Sequence, residues 1–206
     1  DGDIVWYEEN DVFAPGMNGY DWSQADRSVL SINTSTFQEQ AIDGTKSLEL
    51  HRGSDFSDDL HHDVSRWGEY TYLLFEYLDS GLDVDGVYVF QGNTLIGTFL
   101  LGDHFTEGGG GGGPNTDWSH ANGINVTTDG ELIMSLLQFD TILSVDADPA
   151  SPTFLDILWE AGGGTGQELP GITYLPSTTA GGFDGQHNAS RHGDALWVFD
   201  NTGTGG

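Results

Sequence analysis

The segment "YTYLLFEYLDSGLDVDGVYVFQGNTLIGTFLL", Tyr70–Leu101, contains three apolar runs that are separated by short polar stretches. The runs begin at Tyr70, Gly86 and Thr94 and are rich in Tyr, Phe, Val, Leu and Ile, which favour β-strands. Gly92-Asn93, between the second and third runs, is a dipeptide that favours a tight hairpin turn. The segment therefore predicts three consecutive strands, of which the last two form a hairpin.

The same alternation of short apolar runs and turn residues extends over most of the chain. Asp43-Gly44 and Asp129-Gly130 each separate two apolar runs, and no long segment has the 3.6-residue period of an amphipathic helix. Further strands are predicted at "DIVWYE" from Asp3, "SLELHR" from Ser47, "GINVTT" from Gly123, "ELIMSLL" from Glu131, "TILSVD" from Thr141, "FLDILWE" from Phe154 and "ALWVFD" from Ala195. Many short strands predict an all-β fold of the sandwich, barrel or propeller type.

The glycine-rich stretches Gly108–Gly113 and "AGGGTG" from Ala161 are predicted as loops.

A loosely recurring unit favours the propeller among these folds. In each copy a His-containing turn is followed by a polar turn, a strand and a second strand that ends in Asp. The copies are "HHDVSRWGEYTYLLFEYLD" from His61, "SHANGINVTTDGELIMSLLQFD" from Ser119 and "QHNASRHGDALWVFD" from Gln186. Four-stranded antiparallel blades of roughly 40 to 45 residues would give about five blades, or an incomplete six-bladed ring. We expect a single β-propeller domain over residues 1–206.

The composition excludes several classes of partner. The chain has 33 acidic residues against 5 Lys and Arg, a formal charge of −28, so nucleic acid and anionic membranes would be repelled. The acidic residues are spread along the chain, which is typical of a solvated surface and favours a secreted, periplasmic or cell-surface location. The absence of cysteine excludes disulfides and thiol chemistry, and no apolar run approaches the roughly 20 residues that a membrane helix needs. Because the sequence opens on Asp1 without a leader, we expect that any signal peptide has been removed.

Three histidines occupy equivalent points of the recurring unit: His62, His120 and His187. In a propeller the first strand of every blade lines the central channel, so side chains at equivalent points of different blades converge on one axis. A single histidine is more often a turn or core residue than a ligand-binding one. Three at equivalent points predict a polar site at the mouth of the channel.

Several motifs follow one another in the order and approximate spacing of the arylsulfotransferase family, which the chain resembles from about His61 to Asn201. They are "HHD" from His61, "LLGDH" from Leu100, "DWSHANGI" with "DGELIMS" from Asp117, and "FDGQHNASR" with "GDALWVFDN" from Phe183. The upstream "DGDIVWYEE" resembles the opening blade of that family. The resemblance implies a six-bladed β-propeller that transfers a sulfuryl group from a phenolic sulfate ester to a phenolic acceptor, without a metal or cofactor.

The resemblance also implies a role for individual side chains. The nucleophile would be His187, and the sulfate-binding partners would be His62, His120 and Asn122. The further candidate substrate-binding residues are Asn188, beside the nucleophile, and Arg191, for which a surface role is the alternative.

The chemistry is consistent with these residue types. A neutral imidazole nitrogen can attack sulfur and form a covalent intermediate, which divides one difficult displacement into two easier ones and gives ping-pong kinetics. Charge then accumulates on the sulfuryl oxygens, so fixed donors around them supply most of the catalysis. Imidazole and amide N–H groups are suitable donors, and in so acidic a chain such local donors must provide most of the binding.

Two features of the sequence leave other functions open. The family has an Arg in the strand after the His-x-Asn motif, where this chain has Leu137 beside Gln138. The chain is also short for six blades, so it is expected to be a fragment or to close its ring differently. The alternative is a non-catalytic binding protein with a degenerate sulfotransferase site. A zinc site made by the three histidines is a third interpretation, whereas the Asp-x-Asp patterns at Asp83 and Asp146 lack the loop length and closing Glu of a calcium-binding EF-hand.

Overall fold

A computed structural model describes residues 19–23, 28–105, 117–162, 172–176, 183 and 185–200. Within these ranges the chain forms fifteen β-strands and two short 3-10 helices, Leu101–Asp103 and Leu137–Phe139. The strands are β1 (Gly19–Ser23), β2 (Ser28–Asn33), β3 (Thr36–Ala41), β4 (Lys46–His51), β5 (Asp59–Trp67), β6 (Tyr70–Asp79), β7 (Leu82–Gln91), β8 (Thr94–Leu100), β9 (Ala121–Val126), β10 (Glu131–Leu136), β11 (Thr141–Asp146), β12 (Ile157–Gly162), β13 (Thr173–Pro176), β14 (His187–His192) and β15 (Ala195–Phe199). The prediction of an all-β chain is confirmed.

The strands form four sheets that follow one another along the chain. The first and second are four-stranded antiparallel meanders, β1-β2-β3-β4 and β5-β6-β7-β8. The third has the order β13-β12-β11-β10-β9, in which the fifth strand, β13, pairs with β12 in the parallel direction. The fourth contains β14 and β15 in the described residues. Four-stranded antiparallel sheets were predicted, but the added parallel strand was not.

All three predicted hairpin turns are present. Gly92 and Asn93 form the two-residue connection between β7 and β8, and Gly92 has a φ of 56°. Gly44 lies between β3 and β4 with a φ of 87°, and Gly130 lies between β9 and β10 with a φ of 82°. Glycine is the residue that reaches this left-handed region without steric cost. The three dipeptides therefore predicted correctly which strands pair with each other: β3 with β4, β7 with β8 and β9 with β10.

The continuous apolar run of β6 is explained by burial on both of its faces. Leu73 and Phe75 pack with residues of the first sheet, such as Leu30 and Phe37. Tyr72 and Leu74, which alternate with them along the strand, pack with residues of the third sheet. The second sheet therefore lies between the first and the third.

The sheets pack face to face in the order in which they occur along the chain. The core between the third and fourth sheets contains Ile133 and Ile142 on one side and Ala189 with Leu196 on the other. The first strands of successive sheets are also neighbours, because β1 contacts β5, β5 contacts β9 and β9 contacts β14. This arrangement brings residues near 62, 122 and 188 to one region of the molecule.

Several predictions about individual segments were wrong. The His-containing segments at His61 and Gln186 were predicted as turns, but they form most of β5 and the start of β14, each with an irregularity in its register. Ala161 and Gly162, predicted to begin a loop, complete β12. The strand predicted from Asp3 and the glycines at 108–113 lie outside the described residues. In the described residues, no helix is long and apolar enough to cross a membrane.

Tyr72 provides a test of the packing between the second and third sheets. Its side chain is fully buried, and its hydroxyl donates a hydrogen bond to the carbonyl oxygen of Ala147 at 2.5 Å. Tyr72→Phe leaves that carbonyl without its donor, so we expect the free energy of unfolding to fall by about 1–3 kcal/mol. Tyr70→Phe on the same face of β6, where the side chain is partly exposed, is the control and should change it by less than about 0.5 kcal/mol. Urea denaturation of both variants measures the difference, and equal stabilities would contradict the buried hydrogen bond.

Candidate functional site

The rings of His62 and His120 lie in contact where β5 and β9 run side by side. Their centroids are 5.4 Å apart with an interplanar angle of 59°. His62 belongs to β5, in the irregular part of its pairing with β6, and His120 immediately precedes β9. Two of the three predicted histidines are therefore brought together. Both rings reach the surface, His62 more fully than His120.

A left-handed backbone conformation marks equivalent points of the recurring unit. His62 has a φ of 54°, His120 of 46° and Asn188 of 48°. Such values are uncommon outside glycine, although Asn and His adopt them more often than most residues. The residue equivalent to His62 and His120 in the third copy is therefore Asn188, and His187 is one position earlier. The spacing of the three histidines along the sequence does not reveal this shift.

A further histidine, His61, lies beside His62. It is part of the quoted motif "HHD" but was not among the predicted site residues. The Nδ1 atoms of the two rings are 2.6 Å apart, and the Nε2 of His61 is 2.8 Å from the Oδ1 of Asp85. Asp85 is 1% exposed and belongs to β7. A buried carboxylate must be paired or hydrogen-bonded to be tolerated. The pair with His61 supplies part of that compensation.

Asp85 also holds the segment that carries His120. Its Oδ2 accepts hydrogen bonds from the Ser119 hydroxyl at 2.6 Å and from the backbone N–H of Ala121 at 2.6 Å. The backbone N–H of Asp85 in turn donates to the Ser119 oxygen at 3.1 Å. Ser119 and Ala121 flank His120 in the sequence. The chain on both sides of His120 is thus bonded to one carboxylate.

His120 has a carboxylate partner of its own. The Nδ1 of its ring is hydrogen-bonded to Oδ2 of Asp117, three residues earlier. The side chains of both are about 30% exposed, so this pair is open to solvent on one side. Because Nδ1 faces Asp117, the other ring nitrogen, Nε2, is the one available to a ligand.

The three imidazoles differ in charge because their surroundings differ. Burial and the neighbouring charges of His61 and His120 lower the pKa of His62 to about 4, which keeps its ring neutral at pH 7. Burial alone would lower the pKa of His61, but the hydrogen bond and charge of Asp85 outweigh it and raise that pKa. The hydrogen bond that His120 donates to Asp117 raises the pKa of His120 against the effect of burial. The cluster therefore places His62, whose pKa is lowered, between two histidines whose pKa values are raised.

Asn122 and Gln186 connect the third sheet to the fourth. The Asn122 amide donates to the backbone carbonyl of Gln186 at 2.8 Å. The Gln186 amide donates to the carbonyls of Leu136 at 2.8 Å and Thr141 at 3.1 Å. Asn122, which was predicted to bind sulfate, is buried and its amide makes this bond within the protein, so its sulfate-binding role stays a prediction. Its role in this structure is to hold β9 against β14, next to His187.

His187 follows Gln186 at the start of β14. Its Nδ1 is 3.0 Å from the carbonyl oxygen of Gly185. A carbonyl only accepts, so Nδ1 must carry the proton and the lone pair of a neutral ring lies on Nε2. In this tautomer Nε2 is the nitrogen that can act as a nucleophile. The described contacts place His187 beside the residues that connect β14 to β9.

Asp63, Gly123 and Asn188 show how closely β5, β9 and β14 approach. The carboxylate of Asp63 accepts hydrogen bonds from the N–H of Val64 at 2.9 Å and of Ile124 at 3.0 Å. A Cβ on Gly123 would lie 3.1 Å from the Cα of Asn188 and 3.8 Å from the Oδ2 of Asp63. Burial raises the pKa of Asp63 to about 7 despite the two N–H donors. A larger residue at position 123 would separate the strands.

The arginines near the predicted site are paired with glutamates. Arg191, a candidate substrate-binding residue, lies 2.5 Å from Glu131 in β10 and its Nε donates to the carbonyl of Gly193. Arg66 lies 2.6 Å from Glu39. Leu137, where the resemblance to the arylsulfotransferases predicts an Arg, donates its backbone N–H to the carbonyl of His120 at 3.1 Å. The position thus adjoins the histidine pair, but its side chain brings no charge there.

In its described part, the protein is an all-β chain with stacked sheets. It carries a cluster of histidines, in which His61 is paired with Asp85 and His120 with Asp117. No family model matches the chain, and no curated protein matches it. Within the described ranges, no three or more His, Asp or Glu side chains are arranged to hold a metal ion.

Proposed function

We propose that the protein is an arylsulfate sulfotransferase-like β-propeller in which His62 and His120 bind a sulfuryl group and His187 accepts it. The observation that carries the proposal is the contact of the His62 and His120 rings, 5.4 Å apart, at the strands that begin successive sheets. An acidic composition with a charge of −28 supports a location outside the cell, where phenolic sulfate esters would be the donors and phenols the acceptors.

The order of the sheets supports the propeller. Successive antiparallel sheets pack face to face, and β1, β5, β9 and β14 are neighbours in that order. In a propeller these would be the innermost strands of four consecutive blades. The irregular register of β5 and β14 would then turn His62 and Asn188 toward the channel, since bulges redirect side chains.

The tautomers of the two histidines support oxyanion binding. When His61 is cationic it donates to Nδ1 of the neutral His62, whose own proton is then on Nε2. When His120 is cationic its Nδ1 donates to Asp117 and its Nε2 carries a second proton. Two N–H donors on adjacent rings suit two oxygens of one sulfuryl group. The carboxylate oxygens of Asp85 face His61, Ser119 and Ala121, and Oδ2 of Asp117 faces Nδ1 of His120.

The transfer itself would proceed in two displacements. The Nε2 lone pair of His187 attacks sulfur, the sulfur–oxygen ester bond breaks, and the phenolate leaves with its electron pair and takes up a proton. An acceptor phenol then loses its proton, attacks the sulfur and restores the imidazole. The Nδ1 bond to Gly185 keeps the lone pair on Nε2 in both half-reactions.

Incubation with a chromogenic aryl sulfate, with and without an acceptor phenol, tests the proposal. We expect release of the chromophore that depends on the acceptor and ping-pong kinetics. His120→Asn, which keeps the left-handed backbone but removes the ring, should reduce the rate on the order of 10²–10³, as loss of one oxyanion donor does. His51→Asn in the exposed part of β4 is the control and should leave the rate unchanged. Absence of turnover by the folded protein would contradict the enzymatic function.

A second candidate is a binding protein with the same site but without transfer. Leu137 in place of the family Arg, together with the pairing of Arg191 to Glu131, favours it, because no arginine is then directed to the oxyanion from these two positions. Isothermal titration with an aryl sulfate separates the two functions. Binding that His120→Asn weakens, without chromophore release, would favour the binding protein.

A further inference from the structure

Asp85 is the residue to which both halves of the histidine pair are connected. It belongs to β7, whereas His61 belongs to β5 and Ser119 precedes β9. One carboxylate oxygen faces His61 at 2.8 Å, and the other accepts from Ser119 and Ala121, each at 2.6 Å. Neither oxygen is directed to the exposed edge of His62 or His120. Asp85 therefore acts within the protein and does not contact a ligand.

On the β5 side, Asp85 acts through His61. The His61 ring is 17% exposed and lies edge-on to that of His62, with centroids 4.9 Å apart. Only one of the two Nδ1 atoms at 2.6 Å can carry the shared proton. In the cationic form of His61, which the Asp85 carboxylate stabilises, both ring nitrogens carry a proton, so His61 is the donor and His62 the acceptor. The proton of His62 is then confined to Nε2, at the exposed edge of the ring.

On the β9 side, Asp85 acts through the backbone. Ser119 both donates to Asp85 and accepts from its N–H, and Ala121 donates its N–H to the same carboxylate. These bonds fix the residues before and after His120, whose own φ of 46° is unfavourable for a residue with a Cβ. Because Asp85 holds Ser119 and Ala121, the backbone of His120 keeps its left-handed conformation and its ring is directed toward His62.

We propose that Asp85 is the positioning residue of the site, which sets the tautomer of His62 through His61 and the orientation of His120 through Ser119 and Ala121. The inference deepens the proposed oxyanion-binding function and rests on it for its consequence in activity. The network itself is testable without any substrate. Two other acidic groups act on the same histidines, namely Glu76 of β6 and Asp117 before β9, and Asp83 of β7 acts on Glu76.

Asp85→Asn in the full chain tests the inference directly. The amide keeps the size of the side chain but presents N–H where one carboxylate oxygen was, so it cannot accept from both His61 and the Ser119 segment. Nitrogen-15 NMR of the histidine rings should show His62 as the Nε2–H tautomer in the unchanged protein and as a mixture in the variant, with a lowered pKa of His61. Sulfuryl transfer should fall roughly 10- to 100-fold, as on loss of a residue that orients a functional histidine.

Asp43→Asn is the charge-matched control. Asp43 lies in the exposed turn between β3 and β4, where its Oδ1 accepts from the N–H of Thr45 at 2.9 Å, a bond that Asn also makes. The histidine spectrum and the transfer rate should both be unchanged. An identical His62 spectrum in Asp85→Asn and Asp43→Asn would overturn the inference.

His61→Gln decides the case if Asp85→Asn does not fold. This variant leaves the bonds from Asp85 to Ser119 and Ala121 in place but removes the ring that donates to His62. We expect a mixed His62 tautomer and a raised His62 pKa, because the neighbouring positive charge is lost. An unchanged His62 tautomer would refute the inference. If the unchanged protein shows no transfer while these spectra change as expected, the proposed enzymatic function fails and the role of Asp85 stands.

Discussion

His187→Ala is expected to reduce acceptor-dependent sulfuryl transfer on the order of 10⁴–10⁶, the loss found when a covalent nucleophile is removed from an enzyme. The Nδ1 bond from His187 to Gly185 places the lone pair on Nε2, so the nitrogen that would bond to sulfur is defined by the fold. Alanine has no atom that can replace it. Initial rates with a chromogenic aryl sulfate and a phenol measure the loss, and circular dichroism verifies that the variant is folded.

His192→Ala is the matched control for this experiment. His192 lies in the same strand, β14, and its ring is exposed against Trp197 with centroids 5.7 Å apart. Its removal should leave the rate within about twofold, since it lies outside the proposed site. Equal rates for His187→Ala and the unchanged protein would reject His187 as the nucleophile. Binding of the aryl sulfate could then still depend on His62 and His120.

Most strands with apolar sequences could be predicted, although β2, Ser28–Asn33, was missed, whereas strands with polar sequences could not be predicted. Thr141–Asp146 was predicted with the bounds that β11 has, and β6, β8 and β10 each differ from their predictions by one residue at the C-terminal end. β3, "TFQEQA", was missed because its glutamines and glutamate resemble a loop, yet every residue but the last is buried. Its Glu39 is compensated by Arg66 at 2.6 Å and by Ser28 at 2.8 Å. Partners so distant in sequence leave no local pattern.

The two exposed histidines of the site were predicted, but the buried residues that hold them, Asp85 and His61, were not. His62 and His120 were selected because they recur in equivalent positions, and they lie in contact. Asp85 was considered only as part of an Asp-x-Asp pattern. A stronger signal was its place inside the apolar strand "LDVDGVYVF", because an acidic residue in a strand buried on both faces must have a partner. The identity of that partner, His61, depends on tertiary structure.

Phe75→Ala is expected to reduce the free energy of unfolding by about 3–5 kcal/mol, the usual cost of truncating a buried phenylalanine. Phe75 is 1% exposed and its ring stacks on Tyr88 with centroids 3.9 Å apart. The ring also fills the space above Gly86, where a Cβ would lie only 2.5 Å from its Cζ atom. Because glycine has no side chain that could move into the vacated volume, most of the cavity should remain. Urea denaturation measures the change.

Phe199→Ala in β15 is the matched control, since that side chain is 65% exposed and its truncation should cost less than about 0.5 kcal/mol. The comparison also tests how the sheets are stacked. Phe75 belongs to the core between the first and second sheets, and its strand β6 pairs with β5, which carries His61 and His62. A core so close to the histidines should couple stability to the site, so Phe75→Ala should also broaden the His62 resonances. Similar stability losses for the two variants would mean that the first and second sheets are not packed against each other through Phe75.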